Sequence, residues 1–454
     1  TYSVSSIKSD ELKNLPVTGV DQAMQGRAAG VLVTSNSGTP GGGVTVRLRG
    51  GSSITASNEP LYVVDGIPIN TGSYSQLGFG NQSSNALNDI APNDIESIDI
   101  LKDAAAAAIY GSRAANGVVL ITTKKGKAGK TQVNFNYYTG FGQKAGNKLT
   151  PISGAEETKL LQEMVINRYG VYNSAGGLTT PGFGTGTSVW ASAADAAAWF
   201  WQSDSNAGVN AGGQLYTIES ATSKARGIRT VAAFQDPSLA NNTNWQNLIF
   251  RDAPISQYDI SARGGNEKTT FFVSGSLFDQ KGIILGSDYK RLVGRINLEH
   301  QISKRVKTGA QMAYTRSLQN RINNDNNIYG VLSTAILMAS DIPVRFADGS
   351  YGKDASSSTE NPLAAAVEPF NLSTSGRLLG TVFAEATILD GLKVRTNWNM
   401  DQVSFKEDRF LPNTLNAASG LNGSATATNG GELNWSTSNY LTYNRSFNNI
   451  HSIS

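Results

Sequence analysis

Two histidines, His300 and His451, and not one cysteine are what this 454-residue chain offers to nucleophilic or metal chemistry. A thiolate nucleophile and a thiolate metal site are therefore excluded. The loop from Gly38 to Gly43, reading GTPGGG, invites a phosphate-cradle reading. It lacks the Gly-Lys-Ser/Thr ending, however, and leads into a strand rather than a helix. Asp94 with Glu96, and Asp99 with Asp103, come nearest to the paired carboxylates of glycoside hydrolysis. They sit on alternating segments and read better as polar strand faces. No EF-hand spacing occurs that would hold calcium. The chain is expected not to be an enzyme and to need no cofactor or metal. Binding chemistry is what remains. Arg47 and Arg49 are two apart on one strand and project together, and Arg113 is a third basic candidate. Trp190, Trp199, Trp201 and Trp245, four of the six tryptophans, crowd one long loop beside Phe200. Aromatics there suit stacking on sugars, packing on a partner, or a small core that folds the loop.

The basic candidates belong to a compact N-terminal α/β pattern. Val44 to Arg49 alternates Val44, Val46 and Leu48 with Thr45, Arg47 and Arg49, the mark of a half-buried strand. Leu61 to Val64 is a short apolar strand stopped by Asp65-Gly66, with Pro68 limiting further pairing. Ile95 to Leu101 alternates again. An alanine-rich stretch, 102–110, ends at Gly111, a plausible helix C′ position. Val118 to Thr123 is a last strand, released into the basic run Lys124, Lys125, Gly126, Lys127. A small soluble α/β domain would satisfy these residues equally.

From Thr131 the texture changes to period-two alternation. Leu392, Val394, Thr396, Trp398 and Met400 alternate with Lys393, Arg395, Asn397, Asn399 and Asp401. Leu292, Gly294, Ile296 and Leu298 alternate with Arg291, Arg295, Asn297 and Glu299. Strands of about ten residues with an apolar outer and a polar inner face are what a membrane barrel requires. They are expected near 131–143, 252–263, 268–279, 289–302, 306–317, 376–389, 392–402, 432–446 and from 449 onward. Short linkers (264–268, 303–305, 390–391, 447–448) then alternate with long ones (144–251, 280–288, 318–375, 403–431). That asymmetry belongs to outer-membrane barrels and has no cause in a β-sandwich. Within 144–251, a helix is expected from about Ala155 to Asn167, capped by Ser153 with Glu156 and Glu157 in its first turn.

Composition agrees. Charged residues make up 16% of the chain, glycines number 48 and the net charge is +3, which gives no basis for nucleic-acid binding. No apolar run approaches the eighteen residues that a membrane helix needs. A membrane protein of this kind must be a closed barrel. The opening TYSV lacks the basic start and apolar core of a signal peptide, so the sequence reads as a mature or trimmed product.

The strings PLYVVDG from Pro60, DIES from Asp94, LKDAA from Leu101 and IYGSRAANG from Ile109 carry a resemblance. This segment resembles the plug domain of the SusC/RagA family of TonB-dependent outer-membrane transporters. The resemblance implies a mainly β fold: an α/β plug, residues 1–130, inside an antiparallel transmembrane β-barrel whose N-terminal portion is 131–454. About nine strands are legible, where the family closes at about 22. The remaining strands are expected outside this sequence. By the same resemblance the protein imports a nutrient, a glycan or oligosaccharide or a peptide, across the outer membrane of a Gram-negative bacterium of the Bacteroidota. A SusD-like lipoprotein lids it and the TonB–ExbB–ExbD complex drives it. Arg47, Arg49 and Arg113 would pair with acidic residues of the barrel wall or touch substrate. A non-transporting surface protein, an adhesin or assembly subunit with the same fold, is the alternative.

Overall fold

The computed structural model describes residues 4–12, 17–50, 57–77, 85–102, 108–146, 150–169, 171–172, 178–179, 237–323, 329–346, 348–353, 359–447 and 451–453. Seven strands build the N-terminal part: β1 (Val4–Lys8), β2 (Val31–Ser35), β3 (Val44–Leu48), β4 (Leu61–Val64), β5 (Ile67–Ile69), β6 (Ile95–Leu101) and β7 (Val118–Thr123). Five of them form one sheet in the order β1-β6-β7-β4-β5, and β2 and β3 pair separately. The alternation of β3 does what its sequence requires. Val44, Val46 and Leu48 join Ile98, Ile100, Val119 and Ile121 in the core, while Arg47 is left outside. β4 and β5 are joined by Asp65-Gly66, with φ of 49° and 90°. Both central residues are left-handed, the condition of a tight type I′ turn. Residues 103–107 of the alanine-rich stretch lie outside the described chain, and Ala108–Ala114 is a 3₁₀ segment containing Gly111 at φ 67°.

β7 ends at Thr123 and the wall begins at β8 (Gly129–Gly142). Two short strands in the following loop, β9 (Val171–Tyr172) and β10 (Leu178–Thr179), pair with each other. Then come β11 (Ala253–Gly265), β12 (Thr269–Lys281), β13 (Asp288–Ser303), β14 (Val306–Asn320), β15 (Phe370–Leu389), β16 (Leu392–Leu411) and β17 (Ser424–Tyr443). β8 and β11–β17 form a single antiparallel meander, each strand hydrogen-bonded to the next. No described helix is long and apolar enough to cross a membrane. The outer face carries exposed Val133, Phe135, Ile260, Leu292, Ile296, Met312, Val382, Trp398, Trp435 and Leu441. The opposite face turns its polar residues toward the N-terminal sheet. The exchange of apolar and polar faces falls where the alternation placed it: Trp398 is 60% exposed, while Asp401 is buried.

Three expectations need correction. β15, β16 and β17 are each 20 residues long, not about ten. They extend past the apolar band, where outward positions become Gln402, Ser404 and Lys406 and the alternation no longer signals a strand. The long linkers accordingly contract to 321–369 and 412–423. The strand expected from 449 is instead part of a small hairpin, β18 (Arg445–Phe447) with β19 (His451–Ile453). The third concerns Pro68, expected to limit further pairing: it lies within β5, opposite Val63 of β4. Gly41, Gly42 and Gly43 are all buried. Gly41 has φ 71° and lies under Tyr289, whose ring would be 2.4 Å from a Cβ placed there.

The long connections fold onto one another. Ser153 caps the helix Gly154–Tyr169 as expected: its Oγ accepts from Glu156 N at 3.2 Å, and Glu156 Oε2 accepts from Ser153 N at 2.8 Å. The helices Trp245–Ile249, Val331–Leu337 and Pro362–Val367 share one core with Ile322 and Ile342. Trp245 is its largest member, 2% exposed, and its indole N–H donates to Ala339 O at 2.9 Å.

Candidate functional site

The wall meets the plug along a buried polar seam whose cations belong to the wall. On β13 every second residue points inward, which delivers Arg291, Val293, Arg295 and Asn297 to the plug. Arg295 is 6% exposed, and its Nη1 donates to Thr123 Oγ1 at 3.0 Å. The same guanidinium lies 3.5 Å from Asp65 Oδ2 and 3.4 Å from Asp94 Oδ2. The Asp94 contact is an ion pair by distance only, because Arg295 Nε and Asp94 Oδ2 lack hydrogen-bond alignment. Local structure fixes both acids. Asp65 turns the β4–β5 hairpin and accepts from Thr123 N at 2.9 Å. Asp94 closes the 3₁₀ turn Pro92–Asp94 before β6 and accepts from Ser274 Oγ of β12 at 2.7 Å. The YVVDG and NDIES strings thus converge on one wall arginine.

Arg291, 1% exposed, lies four residues away on the same face. Its Nη1 donates to Thr18 O at 2.6 Å and Asn88 O at 2.7 Å, and the guanidinium lies 5.3 Å from the Phe278 ring centre. Further round, Arg377 grips Asp401 with two bonds of 2.8 and 2.7 Å and reaches Ala86 O at 3.1 Å. Arg321 Nη1 donates to both Glu407 Oε1 and Ser75 Oγ at 2.8 Å. Glu407 Oε2 then accepts from the backbone of Gln76 at 2.8 Å and Leu77 at 3.0 Å. Glu432 Oε2 takes Asn70 Nδ2 and Tyr74 OH, both at 2.9 Å. Two carboxylates on neighbouring strands therefore hold the plug segment 70–77. Gln319 Nε2 adds a bond to Pro40 O at 2.6 Å.

Buried ion pairs are weak evidence for stability, because desolvation offsets their attraction. Removing one partner is a different matter, since it strands a buried charge at a cost of about 3–5 kcal/mol. The seam can therefore hold the plug in one position and still let go when all partners separate together into water. Inside the plug, Asp21 is fully buried and accepts from Asn85 Nδ2 at 2.6 Å and Gln22 N at 2.8 Å. Burial pushes its carboxyl up to about 6, against those two bonds.

Of the residues singled out in the sequence, Arg47, Arg49 and Arg113 are exposed on the plug surface. The buried plug–wall ion pairs of the described residues have the opposite polarity, acids on the plug and arginines on the wall. Trp245 is core rather than surface. Trp190, Trp199 and Trp201 lie outside the described residues. The sequence did mark Arg291 and Arg295 as inward-facing. It held no signal that the partners of Arg295 would be Asp65 and Asp94, because that pairing joins segments 200 or more residues apart.

A plug-like α/β sheet seated against the polar face of an antiparallel, outwardly apolar β wall defines a TonB-dependent receptor. Residues 1–118 match the TonB-dependent Receptor Plug Domain family. The whole chain is 32% identical to TonB-dependent receptor P26 of Formosa agariphila, of which it spans 39%. It is 33% identical over 299 residues to TonB-dependent receptor SusC of Bacteroides thetaiotaomicron, covering 66% of this chain and 23% of that protein. Among solved structures, the RagAB peptide importer in its "closed-closed" state superposes with a TM-score of 0.71 at 25% identity, over 98% of this chain and 46% of that one. The chain belongs to the SusC/RagA type of TonB-dependent receptors and spans less than half the length of these relatives.

Proposed function

We propose that this chain forms the plug and first wall sector of an importer in the outer membrane of a Gram-negative bacterium. It carries a nutrient, a glycan or oligosaccharide or a peptide, inward. A SusD-like surface lipoprotein covers the side of the long connections, and the TonB–ExbB–ExbD complex supplies the force that moves the plug. The observation that carries this reading is the buried seam: a plug fastened to the wall by many individually releasable polar contacts suits a closure meant to move. The apolar outer face supports placement in lipid. Trp190, Trp199 and Trp201 are proposed as contacts to substrate or lid, and Arg47, Arg49 and Arg113 as the plug's exposed basic set. The test is uptake of labelled oligosaccharide and peptide pools by cells with and without TonB. Uptake that vanishes with TonB supports the proposal. Surface adhesion without any TonB-dependent uptake would favour the adhesin reading instead.

A further inference from the structure

Among the described residues, the carbonyl and acidic partners of Arg291 and Arg295 are on the plug, Thr18 and Asn88 for the first, Asp65 and Asp94 with the Thr123 hydroxyl for the second. On the wall, the neutral Tyr289 hydroxyl lies beside Arg291. Arg291 keeps its Nε and Nη2 without a partner even with the plug in place. The other buried wall arginines carry their own counter-ions, Asp401 for Arg377 and Glu407 for Arg321. Further inward-facing cations are matched similarly, Lys307 by Glu299 and Arg395 by Glu385. Two inward acids also lose plug donors when the plug leaves. Asp259 loses Asn93, and Glu432 loses Asn70 and Tyr74. Each of these keeps a neutral wall donor, Gln257 Nε2 at 2.8 Å and Asn434 Nδ2 at 2.7 Å, and with it its negative charge, but neither acid lies on β13. Displacing the plug therefore bares two uncompensated guanidinium groups on one face of β13, about 13 Å apart at the rise of a strand.

We infer that the opened lumen favours negatively charged cargo, with Arg291 and Arg295 as the recognising pair and the carboxylates of Asp65 and Asp94 as resident stand-ins for the anionic groups that pass. The inference rests on the transport reading and adds to it the charge class of the cargo. Guanidinium groups suit this task because they bind carboxylate, sulfate or phosphate oxygens through paired donors and stay charged throughout.

The test uses the complete protein in cells, with Val293→Cys as reporter, since Val293 lies on the same inward face between the two arginines. Its reaction with an anionic and a cationic methanethiosulfonate is timed with and without TonB. The expected result is TonB-dependent labelling in which the anionic reagent reacts about tenfold faster, the scale of electrostatic enrichment in a charged cleft. Arg291→Gln with Arg295→Gln should bring the ratio close to one. Because the readout is a ratio, a plug loosened by the substitutions would speed both reagents and leave it unmoved. TonB-dependent labelling with no anionic preference, or a ratio indifferent to the two arginines, would overturn the inference alone. Labelling that ignores TonB would overturn the transport reading and this inference with it.

Discussion

Arg295 concentrates three plug contacts on one guanidinium, so its removal should be felt more than that of any exposed charge. Arg295→Gln leaves Asp65 and Asp94 buried opposite a neutral group and should weaken plug docking by roughly 3–5 kcal/mol. Hydrogen exchange of the β4–β7 amides in the complete protein would measure it; unchanged protection would show that the pair does not fasten the plug. Asp21 gives a pH signature. Its folded carboxyl titrates near 6, raised by burial, whereas an unfolded aspartate titrates in the ordinary carboxylate range. The folded plug thus holds more protons in that window. The stabilisation is complete below the unfolded value and is lost as pH rises through about 6. Plug stability should fall by about 2–3 kcal/mol between pH 4 and pH 7 on Asp21's account. Asp89, also raised to about 6 by burial, acts in the same direction. Asp21→Asn should therefore flatten part of the slope of a denaturation midpoint against pH, and an unaltered slope would refute the assignment. Neither residue announced this role. Asp21 sits in an unremarkable VDQA, and Arg295 shows only its parity; which carboxylates meet it depends on how a separate sheet is seated.

At the scale of elements, the wall was legible because a period of two is a local property that each strand states for itself. Where the outward residues turned polar, beyond Met400, the signal stopped although the hydrogen-bonded ladder continued to Leu411. Of the seven plug strands, β3, β4, β6 and β7 were legible from equally local patterns, whereas β1, β2 and β5 were not. The packing of Gly41 beneath Tyr289 was not, because it joins residues nearly 250 positions apart. The register of β16 can be tested directly. Trp398→Arg places a cation on the outer face and should destabilise the barrel by roughly 2–4 kcal/mol near the bilayer midplane. Arg395, half-buried, stacks 4.1 Å over the Phe383 ring and faces Glu385. Arg395→Ala should cost less than the tryptophan change. A reversed order in unfolding from lipid vesicles would mean a register off by one residue, which exchanges the two faces.

For the whole molecule, the seam predicts a closed resting state. The intact protein should conduct almost nothing in a planar bilayer, and a form lacking residues 1–130 should conduct well without energy-dependent uptake. Equal conductance of the two forms would remove the plug from the gating role. Topology has its own test: an epitope at Asn266, in the short β11–β12 turn, should be hidden on intact cells, and one at Asp348–Gly349, exposed in the connection between β14 and β15, should bind antibody. The reverse pattern would invert the orientation. One last consequence follows from strand length. β8, β11 and β12 have 14, 13 and 13 residues, whereas β15 to β17 have 20. At about 3.4 Å per residue and a tilt of about 40°, the strands alone rise roughly 16–18 Å higher on one side. The lip of the wall is a ramp, not a circle. A body that comes down on a ramp settles at one azimuth by shape alone, before any side chain has made a choice.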